Sequence, residues 1–233
     1  MTPSVCRSFA SSFRAGAVGI WPLLPSPVLY GLAFGLMAGT VGLSLIETTV
    51  FSGAVFAGGA QIASLQGWSY PVSLLFVCLT TAAINSRYVL MGATLRPVLT
   101  GHPPARLYGT LFFLVDQDWI LVMRDREKGF DNLGYLLGSG VVTWSIWVAC
   151  TMAGRALGGW IPDPRAFGVD FMLGAFFATV AVAFWRQSPR LAPFVVSAAM
   201  AIAVQKLWQG PWYILVGALA GSLAGVATRD RAA

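Results

Sequence analysis

Charge is what this sequence has least of. Asp and Glu number nine and Lys and Arg fifteen in 233 residues, so charged side chains make up 10% of the chain, against roughly 25% in soluble domains. So few charges cannot coat a water-soluble particle, and with 57% hydrophobic residues and a mean hydropathy of +0.71 much of the surface must face lipid. Histidine is nearly absent as well. His102 stands alone, and Cys6, Cys78 and Cys150 are odd in number and far apart, which excludes a zinc site and a disulfide framework. The chain has no glycine-rich, lysine-containing phosphate loop, so it does not itself hydrolyse ATP. It also lacks the ten-residue alternation of an outer-membrane barrel. The net charge of +6 does not point to nucleic acid, because the bases form no stripe and sit singly at the ends of apolar runs. No cofactor motif is present, and none is expected.

What is present is a succession of long apolar runs. At about 20 residues per span, the length allows roughly eight membrane crossings and no separate soluble domain. The fold class is therefore all-α, a polytopic transmembrane helical bundle of seven to eight spans, with residues 1–233 as one integral membrane domain. Spans are expected near 16–40, 46–66, 70–95, 107–123, 132–157, 168–185, 191–206 and 211–228. Residues 1–15 carry Arg7 and Arg14 and no acid; the apolar run behind them is too long for a signal-peptide core, so they are expected to stay as a cytoplasmic segment. With that end inside, Arg124, Arg126, Lys128, Arg186, Arg190, Arg229 and Arg231 join them on the inner side. Arg96, Arg106, Arg155, Arg165 and Lys206 fall outside, a modest positive-inside bias that places both termini in the cytoplasm.

Glycine recurs at every fourth position in two places, Gly31/Gly35/Gly39 and Gly217/Gly221/Gly225, with shorter echoes at Gly134/Gly138 and Gly154/Gly158. Such stripes let helix backbones approach closely. Met37-Ala38-Gly39 returns as Met152-Ala153-Gly154, and the segments that follow, 51–61 and 171–178, are both rich in phenylalanine. A two-fold internal repeat with interrupted helices is one reading of this, and chance similarity is the other.

Ionisable groups at membrane depth are expensive and mark function by default. Glu47 and Asp170 stand near the starts of spans, where a carboxylate also caps a helix. Asp116 and Asp118 lie deeper, in Leu111–Ile120; on a continuous helix they diverge by about 200°, and Asp116 shares its face with Phe112, Phe113 and Trp119. Arg87, in Asn85-Ser86-Arg87-Tyr88, is too far from a span end to reach the interface. It is either a structural ion-pair partner or a fork that binds a carboxylate or gates a pathway. Phe56-Ala57-Gly58-Gly59-Ala60-Gln61 interrupts an apolar helix with two glycines and an amide. Such a break either permits close packing or opens backbone N–H groups to a carboxylate.

These segments together resemble the successive motifs of the AzlC family: 56–61, then Asn85 to Ala93, then Asp116-Gln117, then Asp170-Phe171-Met172-Leu173. The likeness runs from about Gly19 onward, and the second motif is the most specific. The resemblance implies a multi-pass bacterial inner-membrane transporter subunit for branched-chain amino acids, associated with export and with a small AzlD-like membrane partner. On that basis the substrate-binding or coupling residues are expected to be Gly58, Gly59, Gln61, Asn85, Arg87, Asp116, Asp118, Trp119 and Asp170. Asp116 is the first choice for proton coupling or ammonium binding. Relatives often carry Asp-Glu where this chain has Asp116-Gln117, and can carry Asp at Asn85, so two carboxylates are missing. A channel or scaffold subunit and an intramembrane aspartate-dependent enzyme are the competing classes; no nucleophile–base pair or metal set accompanies the aspartates to favour the enzyme.

Overall fold

The structure, a computed structural model, describes residues 8–66, 68, 72–126, 132–158, 178, 182, 191–208 and 212–229. Asp170, the span expected at 168–185 and most of the second repeat copy lie outside the described residues. In chain order the helices are α1 (Phe9–Gly19), α2 (Pro25–Thr40), α3 (Leu45–Val55), α4 (Gly58–Gln66), α5 (Leu74–Asn85), α6 (Arg87–Thr94), α7 (Arg96–Leu99), α8 (Pro104–Leu111), α9 (Asp116–Asp125), α10 (Leu133–Leu157), α11 (Leu191–Leu207) and α12 (Trp212–Arg229). Among the described residues two stretches, Leu74–Thr94 and Leu133–Leu157, are long and apolar enough to cross a bilayer, and the α1–α2 pair makes a third if its bend lies within one span.

The chain divides into two compact units, Met1–Gln61 with Asn85–Val169, and Ile62–Ile84 with Asp170–Ala233. In the first, α10 is the axis. Its 25 residues reach about 37 Å, enough for the roughly 30 Å hydrocarbon layer. Asn132 caps it, its side-chain oxygen accepting from the Tyr135 N–H at 3.2 Å. The expected span at 16–40 is instead bent by 71°, between α1 with the short turn Trp21–Leu23 and α2. Pro22 and Pro25 lack the N–H groups a continuous helix needs there.

The bent pair lies along α10, and the glycine stripes make the fit. A Cβ on Gly16 would strike the Tyr135 carbonyl, and one on Gly138 the Phe13 carbonyl, so α1 and the first half of α10 touch backbone to backbone. Further along, a Cβ on Gly31 would lie 3.0 Å from the Trp147 carbonyl oxygen, one on Gly35 would meet the backbone of Thr151 and Arg155, and one on Gly154 that of Leu32. The packing role of these stripes is thus direct. In the second unit α11 and α12 pair in the same way: Gly217 meets Ala201 and Ser197, Gly221 meets Ser197 and Pro193, and Gly225 meets Pro193.

Ser44 and Glu47 form a reciprocal capping box at the start of α3: the Ser44 N–H donates to Glu47 Oε2 at 2.7 Å and the Glu47 N–H to Ser44 Oγ at 3.2 Å. Glu47 therefore acts as a helix cap. A buried cluster of Ile20, Leu24, Leu95, Val98, Leu114, Leu121, Val122, Tyr135 and Leu136 holds the turn between α1 and α2 together with α7, α9 and α10. At its edge the buried Asp125 accepts from Tyr135 Oη at 2.7 Å and from Arg124 through both guanidinium donors, at 2.9 and 2.7 Å. Tyr135→Phe should therefore lower the unfolding free energy by about 1–3 kcal/mol, because it withdraws a donor from a buried carboxylate. Thermal unfolding of the detergent-solubilised chain measures this, and an unchanged midpoint contradicts it.

Two further expected spans are broken, the first of them where the sequence marks an interruption. Residues 46–66 form α3 and α4, separated at Phe56, whose φ of +42° and ψ of +47° place a bulky residue in the left-handed region. Residues 107–123 contain α8 and α9 with a non-helical link at 112–115, where Val115 is extended. Asp116, Gln117 and Asp118 thus occupy the first turn of a new helix, not the middle of an old one. Phe112 and Phe113 consequently share no helical face with Asp116.

Candidate functional site

Three helix starts in the first unit carry the polar side chains singled out in the sequence: α4 after the left-handed Phe56, α6 after a turn at Ser86, and α9 after the extended Val115. A helix N-terminus favours negative charge, and both aspartates sit in the first turn of α9. Arg87, first residue of α6, places Nη1 2.7 Å from Asp116 Oδ2. The two side chains are 25% and 22% exposed, so the pair is largely withdrawn from solvent and yet remains reachable. The guanidinium also lies 5.3 Å from the Tyr88 ring centroid, while its Nε is buried without a hydrogen-bond partner among the described residues. The fork is therefore not saturated by Asp116.

The two aspartates part company here. Asp118 is fully buried; its Oδ1 accepts from Thr143 Oγ1 of α10 at 3.2 Å, and its Oδ2 has no hydrogen-bond partner among the described residues. The residues around it fasten α9 to its neighbours. Gln117 Nε2 donates to Ser26 Oγ at 3.3 Å, and Trp119 Nε1 donates to Thr94 Oγ1 of α6 at 2.8 Å. Trp119 thus ties the helix bearing Asp116 to the helix bearing Arg87. Asn85 ends α5 two positions before Arg87, with a buried Oδ1 that has no hydrogen-bond partner among the described residues.

At the other break Gln61 is fully buried and spans the interruption, its Nε2 donating to the Phe51 carbonyl of α3 at 2.8 Å. Gly58 has the Trp147 indole directly against it, with 2.5 Å from a hypothetical Cβ to Cη2. Gly59 is partly exposed. Phe34 stacks on Trp147 with centroids 6.2 Å apart and meets Phe51 edge-on at 5.7 Å. Ser52 Oγ donates to Thr151 Oγ1 at 2.9 Å, and Trp144 Nε1 donates to the Gly53 carbonyl at 2.9 Å.

Both breaks therefore rest on α10. Ser139, Thr143, Trp147 and Thr151 follow one another at every fourth position, all buried, on one helical face. Thr143 serves Asp118, Trp147 covers Gly58 and Thr151 receives Ser52. These residues were not singled out in the sequence. The signal was their four-residue spacing within an otherwise apolar helix.

A helical membrane protein with polar and charged groups gathered at helix interruptions is what these features define. The particular family follows from comparison: the AzlC protein family model matches residues 22–161, more than half the chain, and the chain belongs to that family. Three of the four sequence motifs fall inside the matched region. The chain is 28% identical over 225 residues to the inner membrane protein YgaZ of Escherichia coli (strain K12), covering 92% of this chain and 89% of that one. It is 22% identical over 218 residues to the branched-chain amino acid transport protein AzlC of Bacillus subtilis (strain 168), covering 90% and 82%. No solved structure matches.

Proposed function

We propose that this chain is the large subunit of a secondary transporter that moves branched-chain amino acids out across the inner membrane, driven by the proton gradient and working with a small AzlD-like membrane partner. The observation that carries the reading is the Arg87–Asp116 pair at the starts of two helices. A zwitterionic amino acid brings one charge of each sign. Its carboxylate matches the guanidinium fork and its ammonium matches Asp116, so it exchanges for the internal pair with no change of net charge. The Bacillus subtilis relative, by its name, transports branched-chain amino acids. The positive-inside bias supports a multi-pass arrangement with both termini in the cytoplasm.

Asp118 is the coupling carboxylate in this reading. Asp116 already has a cation, whereas Asp118, at full burial, accepts from the Thr143 hydroxyl and has no ion-pair partner among the described residues. This divides between two residues the roles that the sequence assigns first to Asp116. The test is accumulation of labelled leucine, isoleucine and valine by vesicles containing the chain, with and without the partner and an imposed proton gradient. The parent should show saturable, gradient-dependent accumulation. Asp118→Asn should keep exchange of labelled for unlabelled leucine and lose gradient-driven accumulation at least tenfold. Accumulation by Asp118→Asn at the parental level refutes the coupling role, and non-saturable flux in the parent supports a channel instead.

A further inference from the structure

Both ends of the segment that holds Asp116 lie at the same end of α10. Helix α8 enters there: the Arg106 guanidinium is 5.5 Å from the centroid of the Phe9 ring, and a Cβ on Gly134, in the first turn of α10, would strike the Phe9 carbonyl. The chain then climbs to Phe113, whose Cβ and carbonyl oxygen would lie 2.6 and 2.7 Å from a Cβ on Gly140, and whose ring meets Trp144 edge-on with centroids 6.1 Å apart. After the extended Val115 it turns back. Asp118 is held by Thr143, and at the far end of α9 Asp125 is held by Tyr135. Gly140 and Thr143 are about 10 and 15 Å along α10 from Leu133, short of its middle. The turn is non-helical backbone, and it is satisfied: the Phe113 and Leu114 N–H groups donate to the Thr110 and Leu111 carbonyls at 3.0 and 3.1 Å, and Leu114 and Val115 are buried in protein.

The neighbouring helices agree with this path. Arg87 is beside Asp116, Thr94 accepts from Trp119, and Leu95 and Val98 join Tyr135 and Leu136 in the buried cluster, so α6 and α7 run toward the Leu133 end of α10. The loop 100–103 is then on the side of Arg14 and Arg124, whereas eight crossings would put it opposite. That requires the run at 46–66 to turn back as well. Gln61 Nε2 is 2.8 Å from the Phe51 carbonyl oxygen, ten positions away, where a straight helix would separate the two residues by about 15 Å. With both runs turned back, Arg96 and Arg106 join the inner bases, and of those assigned outside Arg155, Arg165 and Lys206 remain. The positive-inside bias, modest for eight crossings, becomes pronounced.

We propose that Pro104–Asp125 is a re-entrant helical hairpin, entering and leaving on the cytoplasmic side, and that it is the cytoplasmic gate of the Arg87–Asp116 site. Both helices that carry the pair run from it into the apolar cluster. Helix α9 does so through Leu121 and Val122, and the α6–α7 stretch through Leu95 and Val98, with Ile20, Tyr135 and Leu136 packed in the same cluster. Those side chains are almost wholly buried and stand between the pair and the Leu133 end of α10. An outgoing amino acid therefore reaches the pair only when the hairpin parts from α10 and the turn after α1. The gate rests on the reading of the protein as an amino-acid exporter, whereas the hairpin rests on the contacts alone.

The experiment places single cysteines in the full chain, in a Cys6→Ala, Cys78→Ala and Cys150→Ala background, and treats right-side-out and inverted membrane vesicles with an impermeant maleimide. Thr40→Cys marks the outer side, because Thr40 is exposed and follows the Gly39 that faces Arg155 at the other end of α10. Ala105→Cys and Arg126→Cys, both at exposed positions, should label together and only from the side opposite Thr40→Cys. Labelling of either from the Thr40 side means that the segment crosses, and overturns the hairpin. Val122→Cys reads the gate. It should label slowly, and leucine supplied at the cytoplasmic face should raise the rate about tenfold as binding shifts the population toward the open form. Arg87→Met in the same background should remove that increase. Leu95→Cys, on the other side of the seal, is the reporter if Val122→Cys does not insert. Rates unchanged by leucine, in vesicles that take leucine up saturably, refute the gate. Absence of saturable leucine uptake in the parent overturns the transport reading and the gate with it, and the Ala105→Cys result still decides the hairpin.

Discussion

Arg87→Met should reduce leucine accumulation at least a hundredfold while the chain still inserts. The guanidinium is the partner of Asp116 at 2.7 Å, and its removal leaves a carboxylate that is only 22% exposed without its cation. Breaking a fully buried pair costs about 3–5 kcal/mol, and the residual exposure here reduces that to about 1–3 kcal/mol. A chain destabilised by that amount can remain folded, so lost transport would report lost recognition. The double variant Arg87→Met with Asp116→Leu separates the two effects. It removes both charges, should recover the stability lost in the single variant, and should recover none of the transport. Arg87→Lys retains a charge without the planar fork and should fall between, with a KM raised about tenfold. Parental transport by the lysine variant refutes bidentate carboxylate recognition, and substantial transport by the double variant refutes the site. Uptake kinetics in vesicles, with thermal unfolding of the same preparations, provide both readouts.

Gly138→Leu should prevent the first unit from folding. A Cβ at this position falls on the Phe13 carbonyl, and the Phe13 carbonyl carbon and Cα are only 2.7 and 3.0 Å away. The obstacle is backbone, which no rotamer change can move. Helix α1 must separate from α10, and the resulting loss of close contact along the interface is expected to exceed about 4 kcal/mol, beyond ordinary overpacking. Gly225→Ala is the control, because its Cβ meets only the Pro193 ring at 3.6 Å, an ordinary contact. Monodisperse, membrane-extracted protein should be lost in Gly138→Leu and retained in Gly225→Ala. Parental yield of the leucine variant means that α1 does not pack against α10 through this glycine.

The difference between these glycines is one of neighbours. Gly138 and Gly225 belong to similar four-residue stripes, and the period shows that each stripe lies on one helical face. It does not show what that face meets. The breaks in the helices have a similar explanation. Phe56 interrupts the run beside a Gly-Gly pair, which the sequence flags, whereas residues 112–115 contain neither glycine nor proline and read as helix. The available signal was Asp116 and Asp118 themselves, because carboxylates two apart suit the first turn of a helix better than its middle.

By itself the sequence determined the helical membrane class, through its scarcity of charge, and the family, through the motifs at 56–61, 85–93 and 116–117. It also determined which glycines share one helical face, since that depends on the local period alone. Only the tertiary structure decided that Asp116 has Arg87 while Asp118 has Thr143, and that Trp147 covers Gly58. Those pairings join residues 25 to 89 positions apart. Helical periodicity specifies direction around one axis, and the partner across the interface is set by how the axes cross.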